Sequence, residues 1–211
     1  MFTVYLYVLD TMADWEPGYA AAELNSGRFF RADAPRVTVR TVGVDKAPVR
    51  TMGGLDVTPD CAVSEIAADK KSVLLLPGAD AWNDAKHGAV IAKAAELLGA
   101  GGTVCAICGA TVALANAGLL NDRRHTSNGA GFLETFCPAY TGGRFYVDSP
   151  CVADGGLITA GASGALAWAK QILARLDVFR PDTLEAWHAF FSTGAPQRFF
   201  ELMQTLPSAG Q

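Results

Sequence analysis

Residues 73–76, Val-Leu-Leu-Leu, are apolar at every position, the pattern of a strand covered on both faces at the centre of a parallel sheet. Around this run the chain switches repeatedly between short apolar stretches and longer ones with helical spacing. Residues 4–9 predict a first strand. Asp14-Trp15-Glu16-Pro17 then opens a helix that ends near Gly27, with acidic residues and a proline in its first turn. Residues 36–42 alternate as a second strand, and residues 49–57, with Met52-Gly53-Gly54 at the bend, predict a small hairpin.

Over residues 88–98, Val90, Ile91, Ala94, Ala95, Leu97 and Leu98 form one helical face, and Lys93 and Glu96 lie opposite. Residues 99–102 end that helix. The segment 103–120 reads as a strand running straight into a small-residue helix, with Cys108 at the join. A short helix over 129–137 follows, then strands over 144–147 and 151–153, an Asp154-Gly155-Gly156 turn, and a strand over 157–160. The helix over 163–176 turns Leu166, Ala169, Ile172, Leu173 and Leu176 inward. Residues 184–203 carry Trp187, Phe190, Phe191, Phe199 and Phe200, an aromatic density that calls for burial, as a helical pair closing the core or as a subunit interface. Alternating strands and helices predict one α/β domain over residues 1–211, with an aromatic helical segment at 181–205. Its architecture is a three-layer α/β/α sandwich around a doubly wound, mainly parallel sheet of flavodoxin-like type.

Composition narrows the partners. Of 211 residues, 50% are hydrophobic and 18% charged, which fits a well-buried globular chain and argues against disorder. The net charge is −4, and Arg123-Arg124 is too short a run to form a basic patch. Nucleic acid and anionic membrane are therefore not expected as partners. The first basic residue is Arg28, so the apolar start lacks the positive region of a secretory signal. No stretch reaches the roughly 18 apolar residues that span a bilayer. Five cysteines with irregular spacing suit a reducing compartment, and a cytoplasmic location is the expectation.

Cys108 is the candidate nucleophile. A side chain on a sharp strand-to-helix turn is pushed out of the sheet, beside the first free N–H groups of the helix. There a thiol can fall from about 8.5 into the range of roughly 3.5 to 7.5. The plainer alternative is a free cysteine packing as a small hydrophobe. In an open parallel sheet, ligands bind beyond the carboxyl ends of the strands. Three strands end in Asp14-Trp15-Glu16, in Pro77-Gly78-Ala79-Asp80-Ala81-Trp82 and in Cys108, which predicts one shared site. Asp80 and Trp82 would be pocket walls, or else serve only in capping and packing, and Glu16 has the alternative of a helix-start acid. Cys105 and Cys108 form a C-x-x-C, but a redox pair opens a helix, whereas Cys105 lies inside the strand. Cys61, Cys137 and Cys151 have no metal-ligand spacing with the histidines, so no metal is expected. His125, beside two arginines, is expected in a solvent-facing loop, His87 on the surface at a helix start, and His188 packed among aromatics.

The segments L-L-L-P-G-A-D-A-W, A-I-C-G-A-T, G-L-L-N-D-R-R-H-T-S-N and D-G-G-L-I-T-A-G-A-S resemble the ThiJ/PfpI family of the class I glutamine-amidotransferase-like superfamily, over essentially residues 2–176. The resemblance implies that Cys108 is the elbow nucleophile and Glu16 the acid that hydrogen-bonds its sulfur. The N–H groups of Gly109 and of Gly78 or Ala79 would be the oxyanion donors. One departure matters. Many members place a histidine twenty residues after the cysteine, and Ser127-Asn128 stand there in this chain. His125, three residues earlier, would reach the pocket only if the loop were rebuilt. A glutaminase would also show G-x-C-x-G, where this chain has A-I-C-G-A. The expected activity is therefore thiolate addition to a small electrophile, such as a 2-oxoaldehyde or an isonitrile, by a hydrolase or lyase that needs no cofactor. Two alternatives stand beside it: a redox-sensing stress protein, and an amidase or peptidase. The family resemblance also implies a homodimer.

Overall fold

The computed structural model describes residues 1–207 and places the apolar run at 73–76 in the middle of a seven-stranded sheet. In chain order the elements are β1 (Phe2–Tyr7), α1 (Trp15–Ser26), β2 (Val37–Gly43), β3 (Val49–Arg50), β4 (Asp56–Val57), β5 (Cys61–Ala62), β6 (Ser72–Leu76) and α2 (Gly88–Gly99). They continue with β7 (Thr103–Ile107), α3 (Gly109–Asn116), α4 (Phe132–Phe136), β8 (Cys151–Asp154), β9 (Leu157–Ala160), α5 (Ala165–Leu176), α6 (Pro181–Thr193) and α7 (Pro196–Thr205). The sheet order is β5-β2-β1-β6-β7-β9-β8. Every neighbouring pair is parallel except β8 with β9. All residues of β6 and β7 are buried, as strands covered on both faces must be. Helices α1 and α5 pack on each other, while α2 and α3 pack against β7, completing the flavodoxin-like α/β fold. β3 and β4 form the separate hairpin that the Met52-Gly53-Gly54 turn predicts.

This topology fixes where a ligand can sit. β1 lies between β2 and β6, so successive connections leave it in opposite directions and open a crevice at the carboxyl ends of β1, β6 and β7. Those ends carry Glu16, Gly78 and Cys108.

Three expectations need correction. Residues 144–147 do not form a strand: a tight turn over Gly143–Phe145 precedes Tyr146, which makes a single bridge to His125. Ala95 faces solvent, because the buried stripe of α2 is narrower than its apolar one and consists of Val90, Ala94 and Leu97. The aromatic C-terminal segment is only partly covered. Trp187 is fully buried and donates its indole N–H to Glu23 Oε1 at 3.0 Å, which ties α6 to α1, and Leu202 of α7 joins the core. Phe199 and Phe200, however, are 42% and 58% exposed. Among the described residues, no helix is long and apolar enough to cross a membrane.

Candidate active site

β7 delivers Cys108 at φ 56° and ψ −125°, a backbone conformation that is costly for a residue with a Cβ. Hydrogen bonds on both sides hold it there. The Cys108 N–H donates to Ala160 O of β9 at 3.0 Å. On the other side, the Thr111 hydroxyl donates to Cys108 O at 2.6 Å and is met by the Ser127 hydroxyl at 2.7 Å. Because the Thr111 proton is used on the carbonyl, Ser127 is the donor in the second bond. The strained turn thereby aims the sulfur out of the sheet.

Glu16 comes from the first turn of α1 and is fully buried. Its Oε2 accepts the Gly78 N–H at 2.5 Å, while Oε1 is buried without a hydrogen-bond partner, and the carboxyl lies against the Cys108 thiol. Gly78 is what allows this approach: a Cβ there would stand 2.8 Å from both Cys108 Cβ and Glu16 Oε2. The same bond corrects one expectation. With its N–H committed to Glu16, Gly78 is not a free oxyanion donor, which leaves Ala79 and Gly109. The Ala79 N–H has no protein partner among the described residues, and the Gly109 N–H opens α3 next to Cys108.

Burial pushes the Glu16 carboxyl above its ordinary value, against the Gly78 N–H and the Cys108 contact, which lower it. Burial also pushes the Cys108 thiol up, and the Glu16 charge adds to this; the Asn128 amide and the Gly109 N–H draw it down. The thiol is therefore not depressed as a helix start alone predicts, because burial and a neighbouring acid outweigh the N–H groups. With both groups raised and in contact, the two titrate as a coupled pair.

Asn128 occupies the remaining side of the sulfur. Its Oδ1 accepts the Ala162 N–H at 2.9 Å, which leaves Nδ2 facing Cys108 Sγ at 3.5 Å. The histidines are elsewhere. His125 is fully buried rather than solvent-facing, because Tyr140 and Tyr146 pack edge-on against its ring. Its Nδ1–H donates to Arg123 O at 2.8 Å and its Nε2 accepts from the Tyr140 hydroxyl at 2.6 Å, so neither nitrogen is free for the pocket. His87 is buried too, against Tyr7 and Trp82, with Nδ1 2.6 Å from the Tyr7 hydroxyl. His188 is half-buried on α6, near Lys170 and Glu185.

Asp80 and Trp82 line a cavity together with Ala79 and Gly109. The Trp82 indole N–H donates to Pro77 O at 2.9 Å, which locks the ring beside Gly109. Thr11 Oγ1 accepts the N–H groups of Asp80 and Ala81 at 3.0 and 3.1 Å, securing the loop after β6. Thr11, Thr111 and Ala162 are positioning groups that sequence reading misses. Only Thr111 carries a local signal, a hydroxyl three residues past the elbow. Among the described residues, no three His, Cys, Asp or Glu side chains are grouped to hold a metal ion.

The family model described as the DJ-1/PfpI family matches residues 2–175. A relative in Bacillus subtilis (strain 168), named an uncharacterized protease YoaZ, is 46% identical over 203 residues, 96% of this chain and 97% of that protein. The crystal structure of a thiJ/pfpI family protein from Bacillus anthracis superposes with a TM-score of 0.94 at 42% identity, over 99% of both chains. That of a DJ-1 superfamily protein from Agrobacterium tumefaciens gives 0.79 at 31% identity, over 92% of this chain and 99% of that one.

Proposed function

Because this chain belongs to the DJ-1/PfpI family, we propose that it is a cysteine-dependent enzyme acting on a small electrophile, with Cys108 as nucleophile and Glu16 as the group that takes and returns its proton. The observation that carries this reading is the buried Glu16 carboxyl, pinned by Gly78 against the Cys108 thiol. A carboxyl raised by burial is a better proton acceptor near neutrality than an ordinary one. With a 2-oxoaldehyde, the Cys108 Sγ–C bond forms at the aldehyde carbon and the carbonyl π pair moves to oxygen. The thiol proton then passes through Glu16 to that oxygen, giving a thiohemiacetal. With an isonitrile, S–H addition at the terminal carbon gives a thioimidate, from which water releases a formamide and the thiol. The N–H groups of Ala79 and Gly109 would stabilise charge developing on a carbonyl oxygen.

The word protease in the name of the Bacillus subtilis relative raises amide hydrolysis as an alternative. Amide cleavage needs a group that protonates the departing amine. Asn128 cannot carry that proton and both nitrogens of His125 are already bonded, so Glu16 would have to serve without the histidine that cysteine amidases and peptidases pair with the thiol. Small electrophiles fit the site better. A panel of glyoxals, isonitriles, glutamine and peptides, run with Cys108→Ser as control, tests this. Turnover of a glyoxal or isonitrile that disappears in the variant is the expected result. Turnover that persists in Cys108→Ser, or that is confined to peptides, overturns it. Failure of every substrate would favour the thiol-sensor alternative.

A further inference from the structure

We propose that the Cys108 site selects uncharged electrophiles bearing an aromatic ring, held by the cavity between Trp82, Phe132 and Phe136; this rests on Cys108 being the nucleophile. That cavity is about 270 Å³ and is lined by Ala79, Gly109, Trp82, Val112, Phe132 and Phe136, among others. Gly109 directly follows Cys108 at the start of α3, so the cavity opens one residue from the nucleophile. The cavity volume falls just below the roughly 300–1,000 Å³ that hold drug-sized ligands, which suits one ring.

The walls are built for a flat apolar group. Trp82 is fixed by its bond to Pro77. Opposite it, the rings of Phe132 and Phe136 stand 4.8 Å apart at 52° on the single short helix α4. Phe136 is 57% exposed, an apolar ring left to solvent at the edge of a cleft. A substrate ring entering beside it would cover that surface and make the offset or edge-on contacts that aromatic pairs prefer.

Charge selects in the same direction. A second cavity of about 460 Å³ has Asn128, Ser127, Asp148, Ser149 and Ser163 in its lining. Neither cavity is lined by a lysine, arginine or histidine, whereas Asp80 lines the first, Asp148 lines the second, and the buried Glu16 lies against the Cys108 thiol. A carboxylate or phosphate on the substrate would find no cation there. A neutral carbonyl compound needs no cation and can set its oxygen toward the Ala79 and Gly109 N–H groups with its ring against Trp82.

The test is the alkylation rate of Cys108 in the intact protein, located by peptide mass spectrometry. Phenacyl bromide, bromoacetone and bromopyruvate share one reaction: the Cys108 Sγ–C bond forms, bromide leaves, and the thiol proton passes to Glu16 or solvent. Each rate is divided by that of free glutathione. Phenacyl bromide should exceed bromoacetone by about fivefold or more on this scale, and bromopyruvate should fall below both. Phe136→Ala, on an exposed side chain, and the double variant with Phe132→Ala should lose the aryl preference, read in each protein as the ratio of the phenacyl bromide rate to the bromoacetone rate. Alkylation of Cys108 without aryl preference, or a preference that survives the double variant, overturns this proposal alone. A Cys108 that reacts no faster than Cys137 overturns the nucleophile reading beneath it.

Discussion

Asn128 presents its amide nitrogen to the Cys108 sulfur at 3.5 Å and cannot turn round, because its Oδ1 is held by the Ala162 N–H. A hydrogen-bond donor thus occupies the place where many relatives of this fold are expected to keep a histidine. In the proposed reaction such a donor would stabilise the sulfur anion but supply no proton, so acid and base work would fall to Glu16. That division would suit addition to a carbonyl or isonitrile carbon, in which no poor leaving group must be expelled.

Asn128→Asp keeps the acceptor for Ala162 and replaces the donor with a carboxylate. The thiolate then loses a hydrogen bond and gains a like charge. Alkylation of Cys108 at pH 7 should fall about tenfold or more, the equivalent of about 1.4 kcal/mol. The midpoint of its rate against pH should move up. An unmoved midpoint would remove Asn128 from the site.

Much of this arrangement could be read from the chain, and what could not has a physical cause. The fully apolar run at 73–76 and the strand-to-helix join at Cys108 are local patterns, and they appear as β6 and as the β7–α3 elbow. The position of Glu16 at the crevice was legible from a helix start at a strand end, whereas its pairing with the Cys108 thiol was implied only by the family resemblance. The burial of His125 was not, because it depends on Tyr140 and Tyr146, well separated in sequence, rather than on Arg123 and Arg124 beside it. The Asn128 orientation is set by a backbone N–H 34 residues away. The loss of Gly78 as an oxyanion donor follows from one carboxylate oxygen, which spacing cannot locate.

Glu16→Gln should leave the protein at least as stable as the wild type at pH 8. Burial raises the Glu16 pKa in the folded state, so the unfolded chain binds fewer protons and wild-type stability falls as pH rises through the folded value. The amide carries no charge and escapes that loss. The difference in Tm between variant and wild type should be largest at pH 8 and shrink toward pH 4, near the ordinary carboxyl range of about 4.3. A variant that is destabilised equally at both pH values would show Glu16 to be structural. Turnover, by contrast, should drop about a hundredfold or more, as general acid–base contributions of about 10²–10⁴ imply.

Gly78→Ala pushes a methyl group to 2.8 Å from Cys108 Cβ and Glu16 Oε2, closer than atoms pack. One of the two must move. Overpacking of this kind costs about 1–3 kcal/mol, which urea unfolding would register. Cys108 alkylation should slow with it, since the carboxyl is displaced from the thiol. Normal stability together with normal reactivity would contradict the geometry.

Glu23 is buried, accepts from the Trp187 indole and pairs with Arg28, which is half-exposed. Glu23→Ala leaves the Trp187 N–H buried and unpaired, and should cost about 2–4 kcal/mol. Trp187→Phe removes the donor but keeps the Arg28 pair, so its lost hydrogen bond should cost about 1 kcal/mol. Neither change touches Cys108, and alkylation should be unaffected in both. If Glu23→Ala costs no more than Trp187→Phe, the carboxylate does not anchor α6.

His125→Ala separates the structural histidine from a catalytic one. Removing the ring leaves a cavity and an unpaired Tyr140 hydroxyl, at a cost of about 2–4 kcal/mol in urea unfolding. Cys108 alkylation should stay within about threefold of the wild type, because both ring nitrogens are already engaged with Arg123 and Tyr140. The pH dependence gives an independent check. Burial holds His125 below its ordinary pKa, so the unfolded chain binds the extra proton and folded stability declines as pH drops below about 6.5. The variant should show a shallower decline between pH 6.5 and pH 5 than the wild type. A hundredfold loss of Cys108 reactivity with the fold intact would instead mean that the histidine reaches the sulfur in solution, and an amidase mechanism would regain its base.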